Sequence, residues 1–589
     1  MSLNWSLEEL YSSFESNEFK GDLQKTNTLI EDYNSWVNNT TTSYDNVIDK
    51  LHEYINKTSS LKNFFFKLGS FIELSLSVNT KNTEALKASD ILNQNVSNMA
   101  ESDAKIEKWI GGISNIDELL EKSPFLKEYE FFLKEKVELN KYILSEKEEK
   151  VIAKMQNTGS NAWLKLKDSL ISNHKVELNI KGEKKEVPLT VVLNMAHDKD
   201  KEVRKVAYEA EIEAYKKIED GVAAALNAIK GEVLTISDLR GYKSPLEMSL
   251  INSRMDEESL NAMLGAMKES LPIFRKYLRK KAELLGYKNG LPFYELYAPI
   301  SDADMEFSYE KGKKFVEDNF RTFSDNLANF AKMAFDKNWI DVMPKEGKVG
   351  GAFCENLHFL GESRFLLNYG NSFNDVVTMA HELGHGFHGE CLKNEAVLNA
   401  DYPMPIAETA STFCETIVMK AGIKAGSKEE ALSILETEIS GCTQVIVDIY
   451  SRFLFESELF ERRKNGALSA EEIKEIMVNA QREAYGDGLD PEYLHPYMWT
   501  WKPHYYYANS NFYNFPYAFG LLFSKGLYAE YLKSGKDFPK VYEELLSITG
   551  KNKLADVTKV MNIDIRNVDF WRASLKTIEE DIEEFIKLS

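Results

Sequence analysis

The chain has 589 residues and a formal net charge of -21, with 43% hydrophobic and 12% aromatic residues. That length and apolar content support a large core, more naturally split into subdomains than gathered into one, and exclude a disordered acidic protein. The charge argues against a nucleic-acid groove and against attraction to anionic lipid, so neither partner is expected. Four cysteines, Cys354, Cys391, Cys414 and Cys442, lie in the second half without CxxC spacing. They exclude a disulfide scaffold and fit a reducing cytoplasm. Residues 1–10 lack a basic region followed by an apolar core, so no secretory leader is expected. Asn39-Thr40-Thr41 matches a glycosylation acceptor and reads as an ordinary surface loop.

Taken in chain order, the first 180 residues read as an amino-terminal domain of long amphipathic helices, for example over 23–57, 60–78 and 130–154. The apolar run from Phe64 to Leu74 is interrupted by Lys67 and Glu73, which makes it a buried helix and not a bilayer span. Lys134, Glu135, Glu146, Lys147, Glu148 and Glu149 read as a solvated helical face. From Val176 the rhythm alternates, turns across residues 181–185 and resumes to Leu189, the pattern of a small hairpin joining residues 1–180 to a second domain at 181–589. Helical pattern returns over 198–285 with a break at residues 241–245, and Asn289-Gly290-Leu291-Pro292 with Pro299 punctuates the next connection.

Two short apolar runs, residues 348–354 and 363–370, predict strands of a small sheet. Gly350, Gly351, Asn368 and Tyr369 at their ends are candidate substrate contacts, because an edge strand there would pair with an extended peptide. A purely structural hairpin fits the same residues.

His381-Glu382-Leu383-Gly384-His385 follows. On a helix His381 and His385 stand one turn apart on one face with Glu382 beside them, so two neutral imidazoles can hold zinc while Glu382 takes a proton from a water that the ion polarises. A surface helix would match this pattern only by chance. Residues 371–375 offer capping side chains, whereas Gly384 and Gly386 disfavour a helix unless a backbone or a substrate approaches closely there. Zinc needs a third protein ligand. His388 lies about 10 Å further along the helix axis, which leaves it a supporting or cleft-lining role. Cys391 falls where a different zinc peptidase class places a histidine, but Gly is missing at the position of His388. Glu408 is the best candidate, because Pro403 and Pro405 precede a helix on which Glu408, Thr412 and Glu415 share a face. One carboxylate can ligate while the other orients a histidine.

Further on, Trp501-Lys502-Pro503-His504-Tyr505-Tyr506-Tyr507 and the tract from Phe512 to Gly520 concentrate aromatic residues. Such a tract commonly packs a core, yet an imidazole or phenol here can also stabilise an oxyanion. Tyr513 and Tyr517 share a face if the segment is helical, with Pro516 opposing continuity. Residues 469–483 and 539–546 resume helical periodicity, and 562–569 read as a loop before the last helix.

With these residues in place, the chain resembles the oligoendopeptidase F branch of the thimet oligopeptidase family of zinc metallopeptidases. The resemblance rests on His381 to His388, Glu408 to Glu415, Trp5-Ser6-Leu7, Tyr294 to Pro299 and Phe365 to Tyr369. It implies a mainly α, bowl-shaped metallopeptidase with a deep cleft, hydrolysing internal bonds of short unstructured peptides with one Zn²⁺ per chain. It also implies that His381, His385 and Glu408 bind the metal, Glu382 is the general base, Glu415 supports the ligands and His504 stabilises the transition state. Tyr513, slightly ahead of Tyr517, is its expected partner. Dipeptidyl carboxypeptidase-like trimming and a non-hydrolytic peptide-binding homologue are the alternative functions.

Overall fold

Side-chain caps and apolar periodicity divide the amino-terminal region into helices with boundaries other than those expected. In the computed structural model, which describes residues 3–301, 303 and 305–589, Ser16 caps a first helix, Asn17–Thr40, by accepting from the Phe19 amide. Met1 and Ser2 of the opening segment lie outside the described residues. The expected run 23–57 breaks after Thr40 and restarts at Asn46, whose φ of 51° is one asparagine tolerates. The second helix, Val47–Val78, passes straight through the break expected near residue 59 and buries Leu68, Phe71, Ile72 and Leu74, the apolar run read as a buried helix. Asn39 of the acceptor motif lies in the last turn of the first helix, not in a loop.

The charged run 130–154 splits into Glu130–Leu139 and Glu146–Gln156, the second started by a Ser145–Glu148 capping box. Its face is not simply solvated, because Glu135 accepts from Arg254 Nε and Nη2 at 2.7 and 2.8 Å. Glu149 likewise pairs with Arg240 at 2.7 Å. Arg254 also donates to the Asp401 and Gly550 carbonyls, so one guanidinium ties the amino-terminal helices to two later segments.

The hairpin forms as β1 (Lys175–Ile180) and β2 (Glu183–Pro188). Its turn takes two residues, Lys181 and Gly182, both with positive φ, the type I′ geometry that matches strand twist. Ile171, Val176 and Leu178 share one apolar cluster with Ala207, Ile229, Ile473 and Tyr505. Beyond it, the expected helical stretch 198–285 is cut three times, into Lys201–Tyr215, Glu219–Leu239, Pro245–Asn252 and Glu257–Leu284.

Helices make up 71% of the chain and the sheets are small, a mainly α fold. The second sheet comprises β3 (Ile340–Asp341), β4 (Phe353–Leu357) and β5 (Glu362–Leu366) in the order β3-β5-β4, with β4 antiparallel and β3 parallel to β5. The first strand starts and ends later than its apolar run implied, with Gly351 at φ 78° ahead of β4, and the second ends earlier, with Asn368-Tyr369 beyond β5. The sheet lies against the helix Phe373–Leu392, which carries the HExxH motif and opens with a Ser372–Asp375 capping box. The next long helix, Thr409–Ala425, packs along it, and Leu383, Phe387, Phe413, Cys414 and Val418 join one large core with Phe519 and Trp571.

The motif glycines are cleared for protein, not for substrate. A Cβ on Gly384 would stand 2.6 Å from the Ala410 carbonyl oxygen and the Ser411 Cα, and one on Gly386 would stand 2.5 Å from the Phe365 ring. Gly384→Ala is therefore expected to destabilise the fold by about 1–3 kcal/mol as the two helices separate. Gly265→Ala, where a Cβ meets nothing within 4 Å, is expected to be neutral or to stabilise by up to about 1 kcal/mol. Urea midpoints of the two variants check this, and equal midpoints would contradict it.

Candidate metal centre

The motif helix sets His381 and His385 one turn apart, with ring centroids 4.7 Å from each other. Glu408 reaches them from the junction between a short helix, Met404–Ala407, and Thr409–Ala425. Its own backbone is not helical, which aims the carboxylate across at the imidazoles and corrects the expectation of a continuous helix face. Three atoms converge. His381 Nε2 and His385 Nε2 are 3.1 Å apart, and Glu408 Oε2 is 3.4 Å from each. A tetrahedral ion with bonds of about 2.0–2.1 Å needs its ligand atoms about 3.3 Å apart. The triangle therefore fits one face of such an ion, and His381, His385 and Glu408 could hold a metal.

The surroundings fix this arrangement. Glu415, two turns along from Glu408, lies 2.6 Å from His381 Nδ1 and so holds the proton there, leaving the Nε2 lone pair to face the centre. Ser411 Oγ donates to Glu408 Oε2 at 2.9 Å. Asn356 on β4 donates to the His385 carbonyl at 3.1 Å and accepts from Ser363, locking the sheet to the motif helix. Nothing in the local sequence marks Asn356 for this, since its partner lies 29 residues away.

The electrostatics favour positive charge at the centre. Burial opposes protonation of His381, but the Glu415 hydrogen bond and the neighbouring carboxylates outweigh it and lift the imidazole to about 9. Burial raises the Glu408 pKa, and the hydrogen bond and charges of the two imidazoles more than reverse this, holding it at about 2. Glu382 is only 6% exposed. Burial raises its carboxyl above the ordinary range against the pull of both histidines.

His381, Glu382, Glu408, Thr412, Glu415 and Tyr517 line one cavity of about 550 Å³. Tyr517 lies in the first turn of the helix Phe515–Ser534, together with Pro516, where proline is tolerated. Tyr513 precedes that helix, so the two tyrosines do not share a helical face, although their rings lie 6.0 Å apart. Tyr513 stacks on His504 at 5.0 Å, and Tyr507 closes the cluster at 6.0 Å from His504. Tyr507 belongs to the same aromatic tract, where nothing in the local sequence distinguishes it from its neighbours.

Three expected residues stand elsewhere. His388 is fully buried, stacked on Tyr402 and 2.9 Å from Thr549 Oγ1, so it does not line the cleft. The turn of helix that carries it past His385 also carries it under the carboxy-terminal segment. Tyr369 is 2% exposed and donates its hydroxyl to the Phe307 carbonyl, which removes it from any substrate surface. Asn368 donates to the Val349 and Gly351 carbonyls and shapes the exposed Gly350-Gly351 loop.

The model of peptidase family M3 matches residues 194–577, and that of oligopeptidase F matches residues 113–175. The chain belongs to peptidase family M3. This M3 peptidase is 25% identical to oligopeptidase PepF of Bacillus subtilis over 80% of its own length and 70% of that protein. It is 26% identical to an oligoendopeptidase F homologue of Lactococcus lactis over 82% and 78% of the two chains. A crystal structure of a candidate peptidase from Chlamydophila abortus superimposes with a TM-score of 0.87 at 22% identity, covering 100% and 99% of the two chains. That likeness extends the M3 fold across the amino-terminal helices as well.

Burial first, then the charges of Arg452 and Lys502, lower His504 to about 4. The folded protein therefore resists this proton while the unfolded chain accepts it, so His504 withdraws stability as pH falls from about 6.5 toward 4 and has no such effect above that window. A histidine-selective NMR titration, with the resonance identified in His504→Gln, is expected to give a midpoint near 4. A midpoint above 6 would contradict the burial argument.

Proposed function

We propose that the chain is a zinc-dependent endopeptidase of the oligoendopeptidase F type, hydrolysing internal bonds of short unstructured peptides. The observation that carries this reading is the 3.1–3.4 Å triangle of His381, His385 and Glu408, with Glu382 on the same cavity wall. One zinc ion per chain, held by those three residues, supplies Lewis-acid polarisation of a water and of a peptide carbonyl when bound. Glu382 accepts the proton of the attacking water and returns it to the leaving amine. Its raised pKa brings it closer to neutral pH, where a general base works best. Glu415 fixes the tautomer of His381.

His504, neutral at physiological pH, donates an imidazole N–H to the oxygen on which negative charge develops, and a phenol assists it. Tyr517 is the better placed phenol because it lines the metal cavity. Tyr513 stacks behind His504 and sets its orientation. An extended peptide adds to β4, the outer strand of its sheet, whose preceding residue Ala352 lines the same cavity. The Gly350-Gly351 loop lies at that entry.

The four thiols are free, and no described helix is long and apolar enough to cross a membrane. Both facts accord with work in a reducing cytoplasm.

Glu415→Gln is expected to weaken zinc binding about 10–100-fold, read by competition with a chromophoric chelator. Unchanged affinity would remove Glu415 from its supporting role. Glu382→Gln should keep stoichiometric zinc and lose peptidase activity by at least about 10²-fold. Mass spectrometry of end-blocked short peptides with the zinc-loaded protein should show internal cuts. Cleavage confined to free carboxy-terminal ends would instead support dipeptide trimming, and zinc binding without any cleavage a peptide-binding protein.

A further inference from the structure

Lys502 is a cation without an anion. It lies in the aromatic tract two residues before His504, partly buried, with its ammonium 4.1 Å over the Trp501 ring. It has no hydrogen-bond or ion-pair partner among the described residues. The acids that influence it are already committed. Asp448 is paired with Arg452 and accepts from Tyr485 Oη at 3.3 Å. Glu211 accepts from Tyr215 Oη and lies 3.0 Å from His495 Nε2. Arg452 spends a further N–H on Asn514. A lysine shielded from water in this way is costly unless a negative group arrives.

Its neighbours lack acceptors too. Trp501 Nε1 and Arg452 Nε are buried donors without a partner, and His504 Nδ1 is buried without one. Trp501 lines a second cavity together with Gln444 and Asp448. These two residues belong to a π-helical turn, Gln444–Asp448, whose Val445 lines the metal cavity. The aromatic chain from His504 through Tyr513 to Tyr517 leads to that same metal cavity. Trp501 thus lies on the wall of one cavity and His504 connects through the two tyrosine rings to the other, with Lys502 between them in the chain.

We propose that Lys502 is a specificity-determining residue that receives a carboxylate of the peptide substrate, either the carboxy-terminal one or an acidic side chain. The inference rests on the peptidase reading, and deepens it by naming what the site recognises beyond the reacting bond. Burial, reinforced by the like charge of Arg452, already lowers the Lys502 ammonium to about 8. A bound carboxylate would reverse that and hold the charge in place. The indole N–H of Trp501 is the natural second donor, which makes the recognition one of a charge-assisted hydrogen bond and not of net charge alone.

The test uses the full-length zinc-loaded protein and one peptide sequence of about eight residues in three forms. These have a free carboxy terminus, a carboxy-terminal amide, and a carboxy-terminal amide with one internal glutamine replaced by glutamate. A hydrogen bond to a charged group predicts kcat/KM at least about tenfold higher for a carboxylate form than for the plain amide, carried mainly by KM. Lys502→Met is expected to bring the ratio of kcat/KM between the carboxylate form and the plain amide close to one, with any loss common to all forms assigned to the changed surroundings of His504, and Lys502→Arg to restore most of that ratio. A preference that follows the terminus assigns the terminal carboxylate, and one that follows glutamate assigns the side chain. Equal losses on charged and uncharged peptides, or a wild-type protein that does not distinguish them, would overturn the proposal. Calorimetric binding of the same peptides to zinc-loaded Glu382→Gln protein, repeated with Lys502→Met added, reads the preference without turnover; stoichiometric zinc in the double variant reports that it is folded, and a preference that survives there belongs to another group, such as the ion, and overturns the proposal. Tighter binding of a carboxylate form by about tenfold supports the proposal, and equal affinity or no binding overturns it. Failure of the wild-type protein to cleave any form would count against the peptidase reading while this binding comparison still judges Lys502.

Discussion

Two helices must approach until a carboxylate rooted on one meets two imidazoles rooted on the other, and the rest of the structure is arranged around that distance. Gly384 permits it, because the Ala410-Ser411 backbone occupies the space a side chain would fill. Without this contact Glu408 would stand back from the histidines by the width of a methyl group, and the 3.4 Å separations that suit a metal ion would be lost. The small sheet serves the same end from the other side, with Phe365 filling the groove beside Gly386 and Asn356 tying β4 to the His385 carbonyl. The M3 fold is in this sense a frame for holding one interhelical spacing.

Charge is arranged in layers outward from that spacing. Glu408 and Glu415 face the imidazoles directly, while Glu382 stands beside them in an environment that resists its ionisation. Further out, burial first and then the charges of Arg452 and Lys502 keep His504 neutral. An imidazole that stays uncharged can offer a hydrogen bond to a developing oxyanion without adding a second cation next to a metal. His381 and His504 thus receive opposite instructions, one drawn toward positive charge and one held away from it.

The elements legible in the sequence were those whose cause is local. His381, Glu382 and His385 follow from helical periodicity, and Glu408 with Glu415 from a proline-punctuated segment with carboxylates in register. The hairpin was visible in its alternation, though its turn proved shorter because Lys181 joins Gly182 in a left-handed conformation. What escaped depends on distant partners. His388 shares the face of the ligands in a helical projection, yet Thr549, 161 residues later, covers it. Tyr369 carries a motif-like look, but its hydroxyl serves a buried carbonyl at Phe307. The motif glycines called for a close neighbour without revealing that it was the protein itself. Tyr517 outranks Tyr513 at the cavity only because the Phe515–Ser534 helix begins between them.

The Arg254 guanidinium gives the amino-terminal helices a mechanical role. It grips Glu135 on one side and the Asp401 carbonyl on the other, and Lys62 of the second helix adds an ion pair to the same aspartate. Asp401 lies only seven residues before Glu408, with Pro403 and Pro405 stiffening the span between them. A displacement of the amino-terminal helices therefore pulls on the segment that presents Glu408 to the two imidazoles. Coupling of this kind is reciprocal in free energy. Any change that draws Glu408 toward the imidazoles is therefore felt at Asp401 and, through Arg254 and Lys62, by the helices far upstream in the chain.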